Sequence, residues 1–475
     1  MKRRRIFLTP AVVLLATAAC PARGSYAVVV SKQTHGIAGW REVVDALLAK
    51  HDGKLVTYGE SADESLAALR KQFPRHVCFV ARPGEAGRAF VAQVHRLTRA
   101  LDDDPYTDAI WGILTGYDAA AALRIAKQAE PLTVRRVAAG TDVALSHCPE
   151  GIWYCELVKN RMVRKDPGGR ARAMKGPDDT TKALADALNE YKAQLFVTSG
   201  HATERDWQIG YRYRNGQFRC KGGQLYGLDT SRKTHPIRSA SPKVYLAVGN
   251  CLIGHIRDRE SMALAWMNGA GVCQMVGYTV PTWYGYGGWG MLDYFLEQPG
   301  RFTLAEAFFA NQQALLHRLG TYFPDAARAD PATARRLAVT VSPEAKQAGL
   351  KAHDARGLLF DRDHVAFYGD PAWSARMAPG PLGWQQKLTV DGKKYTFEIT
   401  PKLGAKSYDP VNTNGSQRGG RPIVELLPHR VRNVKVLEGG ELKALVTDNF
   451  LLVPTPCACR PNRTPRLVFE ADHVE

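Results

Sequence analysis

Beyond its first twenty residues, the sequence lacks any long apolar run. No later segment reaches about 18 consecutive apolar residues, which a helix needs to span a bilayer, so we expect no membrane crossing after the N-terminus. DNA- and RNA-binding motifs are also missing, although the net charge is +18. Because lysine and arginine are spread along the chain, we interpret the charge as a solvated surface and expect no nucleic-acid partner.

Motifs for zinc and for nucleotides are missing as well. Cys148/Cys155 and Cys457/Cys459 come without the second Cys-x-x-Cys or histidine pair that a zinc knuckle requires. The segment YGYGGWG lacks the Lys-Ser/Thr of a phosphate-binding loop. We therefore expect that no cofactor is required. The nine cysteines permit disulfides in an exported protein, and Cys148 with Cys155 is the favoured local pair.

The first twenty residues, MKRRRIFLTPAVVLLATAAC, have the pattern of an export signal. A basic start is followed by an apolar core and by small residues before Cys20. Ala18-Ala19-Cys20 resembles the end of a bacterial lipobox, after which lipid on Cys20 would attach the protein to a membrane, although Thr17 replaces the usual larger aliphatic residue. We expect export, with periplasmic, outer-membrane lipoprotein and secreted forms all open.

The rest of the chain alternates predicted strands and helices. Residues 25–140 and 141–378 both show short buried strands followed by amphipathic helices, which predicts an α/β fold with a parallel sheet flanked by helices. Asn215-Gly216 predicts a hairpin, and Thr303 with Glu306 predicts a capping box at a helix start. Residues 382–475 hold short strands around Asp-Gly and Gly-Gly turns, which predicts a small β domain.

Two of the apolar runs end in residues that carry chemistry. LFVTSGH places His201 after one predicted strand, and VYLAVGNC places Cys251 after another. Because the carboxyl ends of parallel strands meet at one sheet edge, neighbouring strands would bring the thiol and the imidazole together. The imidazole could then take the thiol proton, which makes a nucleophile and its base. A buried cysteine and a polar surface histidine are the alternative that spacing alone leaves open.

Backbone groups beside the pair suit the same chemistry. The amides of Cys251 and Ala202 could donate hydrogen bonds to a developing oxyanion, and Gly200 and Gly249 leave room for a substrate backbone. A different hypothesis takes Cys251 and His255, one helical turn apart, as metal ligands, with Asp258 as the nearest further ligand.

The order of these motifs resembles the gingipain family of cysteine peptidases, in the caspase-like clan. HATERDW, from His201 to Trp207, is similar to the family's His-Gly-Ser-Glu-x-x-Trp after the first catalytic strand. SMALAWMNGAGVCQMVGYTVPTW and FYGDPAW are similar to segments that follow the nucleophile. The resemblance covers residues 26–373, and the β domain is placed like the family's immunoglobulin-like domain.

The resemblance implies a caspase-like fold of two subdomains and hydrolysis of protein or peptide substrates through a thioacyl intermediate. Cys251 would attack, His201 would transfer the proton, and Asp142, after RRVAAGTD, would orient the histidine. Glu204 is an alternative to Asp142. The substrate-contacting residues that the family pattern implies are Gly200, Glu204 and Trp283. It also implies that calcium can stabilise the fold, without indicating ligands.

Two residues depart from the family pattern. Ala202 replaces the glycine that usually follows the histidine, and Asn250 replaces the alanine that commonly precedes the cysteine. Ala202 keeps the backbone amide but narrows the site, whereas Asn250 alters substrate fit or marks a lost activity. The competing hypothesis is therefore a catalytically inactive scaffold whose β domain binds partners or a cell surface.

Overall fold

The computed structural model describes residues 25–454 and 463–474. The predicted export signal with Cys20, and also Cys457 and Cys459, lie outside the described residues. Among the described residues, no helix is both long and apolar enough to cross a membrane.

The strands are numbered along the chain. They are β1 (Tyr26–Ser31), β2 (Lys54–Tyr58), β3 (His76–Val80), β4 (Ile110–Leu114), β5 (Leu132–Val134), β6 (Arg136–Ala139), β7 (Glu150–Tyr154), β8 (Arg161–Lys165), β9 (Arg172–Lys175), β10 (Leu195–Thr198), β11 (Asp206–Gln208), β12 (Gln217–Lys221), β13 (Gln224–Leu228), β14 (Thr234–Ile237), β15 (Lys243–Ala247), β16 (Val272–Tyr278), β17 (Val365–Tyr368), β18 (Ala375–Met377), β19 (Trp384–Asp391), β20 (Lys394–Pro401), β21 (Ile423–Leu426), β22 (Val431–Glu438), β23 (Leu445–Val446), β24 (Phe450–Val453) and β25 (Arg466–His473).

The α-helices are numbered in the same way. They are α1 (Lys32–His35), α2 (Ala38–His51), α3 (Leu66–Gln72), α4 (Arg88–Thr98), α5 (Ala119–Ala126), α6 (Thr181–Asn189), α7 (Met262–Gly269), α8 (Tyr286–Met291), α9 (Leu304–Tyr322), α10 (Pro324–Ala327), α11 (Pro343–Gln347) and α12 (Ala352–Asp361). The predicted capping box at the start of α9 is present, since Thr303 and Glu306 each accept from the other's backbone amide.

One large sheet dominates the fold and confirms the predicted α/β class. Its 12 strands follow the order β2-β1-β3-β4-β17-β16-β15-β10-β6-β7-β8-β9. Strands such as β1 and β15 are buried along their whole length, as expected of parallel strands covered on both faces. The large core cluster therefore runs continuously from the first strand to the helices that flank the last ones.

Ten of the 12 strands form two parallel sets that run in opposite directions, and β8 and β9 add antiparallel strands at one edge. β2, β1, β3, β4 and β17 are parallel to one another, as are β16, β15, β10, β6 and β7, and the antiparallel pair β16/β17 joins the two sets. The carboxyl ends of the two sets consequently lie at opposite edges. The sequence predicts a subdomain boundary between residues 140 and 141. β6 ends at Ala139, on the N-terminal side of that boundary, yet it pairs with β10 in the second set. The domain boundaries therefore stay a prediction.

A four-stranded antiparallel sheet, β11 to β14, is inserted between β10 and β15. The strands on either side of Asn215-Gly216, β11 and β12, do pair antiparallel as the predicted hairpin requires, but residues 209–216 connect them as a long loop and not as a two-residue turn. The tight turn of this sheet lies between β12 and β13 and is made by Gly222 and Gly223, both with positive φ. Asn215 instead hydrogen-bonds the backbone amide and the hydroxyl of Thr180, just before α6. The tertiary contact outweighs the local turn preference here.

The predicted small β domain is present at the C-terminus. A four-stranded sheet (β19-β20-β25-β22) and a three-stranded sheet (β21-β24-β23) enclose a core of their own. One loop of this domain packs against α8: Gly415 lies on the indole of Trp289, and Arg418 forms buried ion pairs with Asp293 and Glu297. The side chain of Asn412 donates to the carbonyl of Asp142, at the carboxyl end of β6.

The favoured disulfide between Cys148 and Cys155 is not formed. The described cysteines are all free thiols: Cys78, Cys148, Cys155, Cys220, Cys251 and Cys273. Cys148 and Cys155 are both buried, and burial raises the pKa of Cys148 to about 12, which keeps its thiol protonated and unreactive.

Candidate active site

His201 and Cys251 follow two strands that are hydrogen-bonded neighbours. β10 and β15 are parallel, and their register pairs Thr198 with Ala247. His201 follows Thr198 by three residues, and Cys251 follows Ala247 by four. Both side chains therefore emerge at the same edge of the sheet. The structure therefore brings the two strand ends together as the sequence predicted.

The sulfur of Cys251 is half-exposed and faces a backbone donor. The amide of Thr282 donates to its Sγ at 3.2 Å. The thiol in turn donates to the carbonyl of the same threonine, 3.8 Å away. The next residue, Leu252, has φ +60°, a left-handed conformation that is strained for leucine and that bends the chain sharply after the cysteine. The thiol is thus held at the tip of a turn.

The imidazole of His201 is exposed and stacks on the ring of Tyr211, with 4.7 Å between the ring centroids. The insertion that carries Tyr211 is therefore part of the site, a role that the sequence pattern did not indicate. Among the described residues, no hydrogen bond joins His201 to Cys251. Catalytic hydrogen bonds are often absent before substrate binds, so this geometry leaves the pairing available.

Two backbone amides near the pair are available as donors. In the described part of the chain, neither the amide of Cys251 nor that of Ala202 donates a hydrogen bond. Ala202 forms an isolated antiparallel bridge with Trp207, in which the neighbouring amides of Thr203 and Gln208 carry the bonds. Both amides are therefore unengaged, and their role as oxyanion donors stays a prediction.

The glycines beside the pair are required by internal packing. Gly200 has φ +95°, and a Cβ there would lie 3.3 Å from Oε2 of Glu156. A Cβ on Gly249 would lie 2.5 Å from Oγ of Ser199, closer than real side chains approach. The expectation that Gly249 makes room for a substrate backbone is therefore wrong, because the space is already filled by Ser199 and Trp289.

The structure does not connect Asp142 to the histidine. Among the described residues, Asp142 has no hydrogen bond or ion pair with His201. Its carboxylate lies 3.9 Å from the guanidinium of Arg161, and burial raises its pKa, while the thiol of Cys155 and Arg161 act in the opposite direction. The predicted role of Asp142 in orienting the histidine therefore has no contact within the described residues that supports it.

A different carboxylate, Glu156, lies beside the residue that precedes the histidine. Its Oε1 accepts from the hydroxyl of Thr141 at 2.8 Å, and its backbone carbonyl accepts from the amide of Tyr211. Its Oε2 is buried next to Gly200 and, within the described residues, makes no well-aligned hydrogen bond, although the hydroxyl of Ser199 lies nearby. Burial raises the pKa of Glu156 to about 7, although the hydroxyls of Thr141 and Ser199 act to lower it.

Sequence reasoning missed Glu156, even though the signal was present. It follows the strand EGIWY by two residues, at the same edge of the sheet as His201 and Cys251. Had that segment been interpreted as a strand of the parallel set, the strand-end rule that found the other two would have indicated this glutamate.

Glu204 and Trp283 lie at the periphery. Glu204 pairs with Arg257 at 3.1 Å, and although burial acts to raise the pKa of Glu204, a backbone amide and Arg257 lower it. Trp283 follows Thr282 and packs on His353 and Phe360, with ring centroids 5.2 and 5.3 Å apart. This aromatic cluster places Trp283 next to the cysteine loop, where a substrate contact remains a prediction.

Possible metal ligands converge elsewhere. In the described residues, the one group of three candidate ligand atoms within 4.8 Å of each other comes from Asp102, Asp104 and Asp448. Arg430 already forms an ion pair with Asp448. The metal hypothesis for Cys251, His255 and Asp258 has no support, because Asp258 instead pairs with Arg205. Structural calcium stays a prediction.

Comparisons with known proteins give one distant similarity. No protein-family profile and no curated protein matches the chain. Among solved structures, the Arg-specific cysteine proteinase gingipain R is similar, with 10% sequence identity and a TM-score of 0.44, over 95% of this chain and 98% of that one. A similarity of this size does not bear on chemistry, which has to be argued from the residues themselves.

Proposed function

We propose that the protein is an exported cysteine endopeptidase. The observation that supports this function is the placement of His201 and Cys251 at the ends of neighbouring parallel strands, beside two unengaged backbone amides. A nucleophile, a base and oxyanion donors are the groups that acyl transfer needs. Export, with or without lipid on Cys20, rests on the N-terminal pattern alone.

The reaction would proceed in two steps. His201 takes the proton of Cys251 while Sγ attacks the peptide carbonyl, and the amides of Cys251 and Ala202 stabilise the oxyanion. The C–N bond breaks as the imidazolium protonates the leaving amine, which gives a thioacyl enzyme. Water, deprotonated by His201, then attacks the thioester; the C–S bond breaks, the acid leaves and the thiol is restored.

Glu156 would supply the negative charge of the site in place of Asp142. Its buried Oε2, which makes no well-aligned hydrogen bond within the described residues, lies next to Gly200, so an imidazolium at His201 gains a nearby counter-charge once Glu156 is ionised. A carboxylate that is buried with an open lone pair is typical of groups that meet a ligand or a transient charge.

A catalytically inactive scaffold is the second candidate. It is favoured by the histidine itself, which is stacked on Tyr211 and, within the described residues, has no hydrogen bond to the cysteine. In that case the β domain would bind partners and the strand ends would have only a structural role.

A peptide library distinguishes the two candidates. Purified wild type, Cys251→Ala and Cys220→Ala are incubated with diverse peptides under reducing conditions, with and without calcium, and the products are sequenced. Cys220 is a matched control because it is also a half-buried free thiol, located in β12. We expect products from wild type and Cys220→Ala and a loss of at least about 1,000-fold in Cys251→Ala. Identical product lists for wild type and Cys251→Ala would establish the scaffold.

A further inference from the structure

The residue before the cysteine makes a buried connection between the two strand ends. The side chain of Asn250 is fully buried, and its Nδ2 donates to the carbonyl of Gly200 at 3.2 Å. Its Oδ1 accepts from the hydroxyl of Thr198 at 2.5 Å. Both partners lie on the chain that leads out of β10 into His201, whereas Asn250 itself leads from β15 into Cys251.

The direction of every bond in this group is determined by its chemistry. The carbonyl of Gly200 can only accept, so the amide nitrogen of Asn250 must face it and the amide oxygen must face Thr198. Thr198 then uses its single hydroxyl hydrogen on Asn250. The hydroxyl of Tyr245, 2.8 Å from Thr198, must therefore donate to it. This series of hydrogen bonds therefore has a single possible direction, and a side chain at position 250 that cannot both accept and donate would not satisfy it.

The bond to Gly200 is placed where it controls the histidine. The carbonyl of Gly200 and the amide of His201 belong to the same peptide unit, so fixing the carbonyl fixes the backbone from which the imidazole extends. Gly200 has φ +95°, a conformation with few local interactions to hold it. Within the described residues, the contact from Asn250 is the one hydrogen bond to this carbonyl, while the amide of Gln208 holds the carbonyl of His201.

The backbone of Asn250 extends the connection to the sulfur. Its carbonyl accepts from the hydroxyl of Thr282 at 3.2 Å, and the amide of the same threonine donates to Sγ of Cys251. One residue thus contacts the strand end of the histidine with its side chain and the donor of the cysteine with its backbone.

We propose that Asn250 is a positioning residue, whose side-chain amide holds the peptide of His201 in register with Cys251. This role rests on the proposed peptidase function, and it reverses the expectation that Asn250 marks a lost activity. Alanine at this position would leave the carbonyl of Gly200 buried without its bond and the hydroxyl of Thr198 with Tyr245 alone, whereas asparagine bonds both groups.

The decisive variant is Asn250→Asp, with Asn250→Ala beside it. An ionised aspartate accepts from Thr198 but repels the carbonyl of Gly200, and a protonated one can donate to that carbonyl as the amide does. We expect kcat/KM of Asn250→Asp to be at least about 10-fold below wild type at pH 8 and to approach wild type as the pH falls to 5.5, mainly through kcat. Asn250→Ala should stay low throughout.

The readout is the ratio of variant to wild type at each pH. Glu156, whose pKa burial raises to about 7, is present in both proteins, so its contribution to the ratio cancels to first order. Burial raises the pKa of Tyr245 far above this pH range, and His201 and Cys251 are the same in both proteins. Thr198→Val, which keeps the shape and removes the two bonds of the hydroxyl, to Asn250 and Tyr245, serves as a second variant if Asn250→Ala does not fold. Equal ratios for Asn250→Asp and Asn250→Ala across the pH range, or wild-type activity in both, would overturn the proposal.

Hydrogen exchange separates this proposal from the peptidase function. At pH 8 the amides of residues 199–203 should exchange at least about 10-fold faster in Asn250→Asp than in wild type, while those of β1 stay unchanged. If wild type shows no peptidase activity but exchange accelerates in this way, the function fails and the connection stands. If exchange is unchanged, the connection itself is refuted, whatever the activity.

Discussion

The two parallel strand sets each have a glutamate near the carboxyl end of their strands, and the two glutamates differ in environment. Glu85, in the first set, accepts from the hydroxyls of Ser31 and Thr34 and from the amide of Arg82. Glu156, in the second set, accepts from the hydroxyl of Thr141 through Oε1, whereas its buried Oε2 makes no well-aligned hydrogen bond within the described residues and has the hydroxyl of Ser199 nearby.

The ionisation of the two groups follows from these contacts. Burial acts to raise the pKa of Glu85, but hydrogen bonds from Thr34 and Arg82 outweigh it and the pKa lies below its usual value. Burial dominates at Glu156 and raises its pKa to about 7. The comparison teaches that the balance between burial and hydrogen bonds decides the charge state of a carboxylate: the bonds outweigh burial at Glu85, and burial outweighs them at Glu156.

The largest expected effect is on activity. Glu156→Gln should lower kcat/KM by at least about 10-fold, because a neutral amide cannot stabilise the imidazolium at His201. In wild type the rate should rise through pH 7 as Glu156 ionises, and this rise should be absent from the variant. Peptide hydrolysis measured from pH 5.5 to 8.5 checks both. The same pH profile in the two proteins would exclude Glu156 from the mechanism.

A stability effect of opposite sign should accompany that loss. Between the unfolded pKa of a glutamate, about 4.3, and the folded value of about 7, only the folded chain retains the proton, so stability falls as pH rises through this window. Glu156→Gln removes the cost of the buried charge, and above pH 7 we expect it to be about 1–3 kcal/mol more stable than wild type. Urea unfolding at pH 5 and pH 8 measures the difference; a variant less stable at pH 8 would contradict it.

Glu85→Gln should show the reverse pattern. Loss of its charge-assisted bonds should reduce the free energy of unfolding by about 1–3 kcal/mol at pH 7 and leave kcat/KM within about 2-fold of wild type. Since the folded pKa is lowered, the stabilisation disappears as the pH falls through it, and the two proteins should converge in acid. Thermal unfolding at pH 7 and pH 3.5 tests this, and a Glu85→Gln protein that is stable but inactive would break the comparison.

The smallest effect concerns the residue after the histidine. Ala202→Gly should change kcat/KM by less than about 3-fold, because either residue offers the same backbone amide to the oxyanion. Steady-state kinetics with one peptide from the library is sufficient. A gain of about 10-fold or more would mean that the methyl group of Ala202 obstructs the substrate.

The sequence predicts those features that depend on local patterns. The α/β class, the capping box of α9 and the strand ends at His201 and Cys251 all follow from hydrophobic runs and their boundaries. The pairing of β17 with β4 and β16 could not be foreseen, because it joins residues more than 80 positions apart and reverses the strand direction at that point. Such pairings depend on how whole layers pack.

For the site as well, the sequence predicts which residues follow strand ends but not which of them contact one another. Asp142 and Glu156 both follow strands of one set, so sequence position alone does not choose between them. The choice depends on the insertion, because the amide of Tyr211 bonds to Glu156 while its ring supports His201. The role of Asn250 likewise depends on Thr198 and Gly200, which lie about 50 positions earlier in the sequence and contact it only in the folded chain.

The contact between the C-terminal loop and α8 sets a limit on how this protein can be divided. A chain shortened to residue 381 would retain every strand of the large sheet, yet Asp293 and Glu297 would lose the guanidinium of Arg418 that neutralises them, and Trp289 would lose its cover. Since Trp289 supports Gly249, two positions before the cysteine, the loss would reach the turn that carries the thiol. The smallest unit that can be transplanted or evolved separately is therefore the pair of domains. The linker at residues 378–381 separates the two domains in the sequence, but their packing makes them one structural unit.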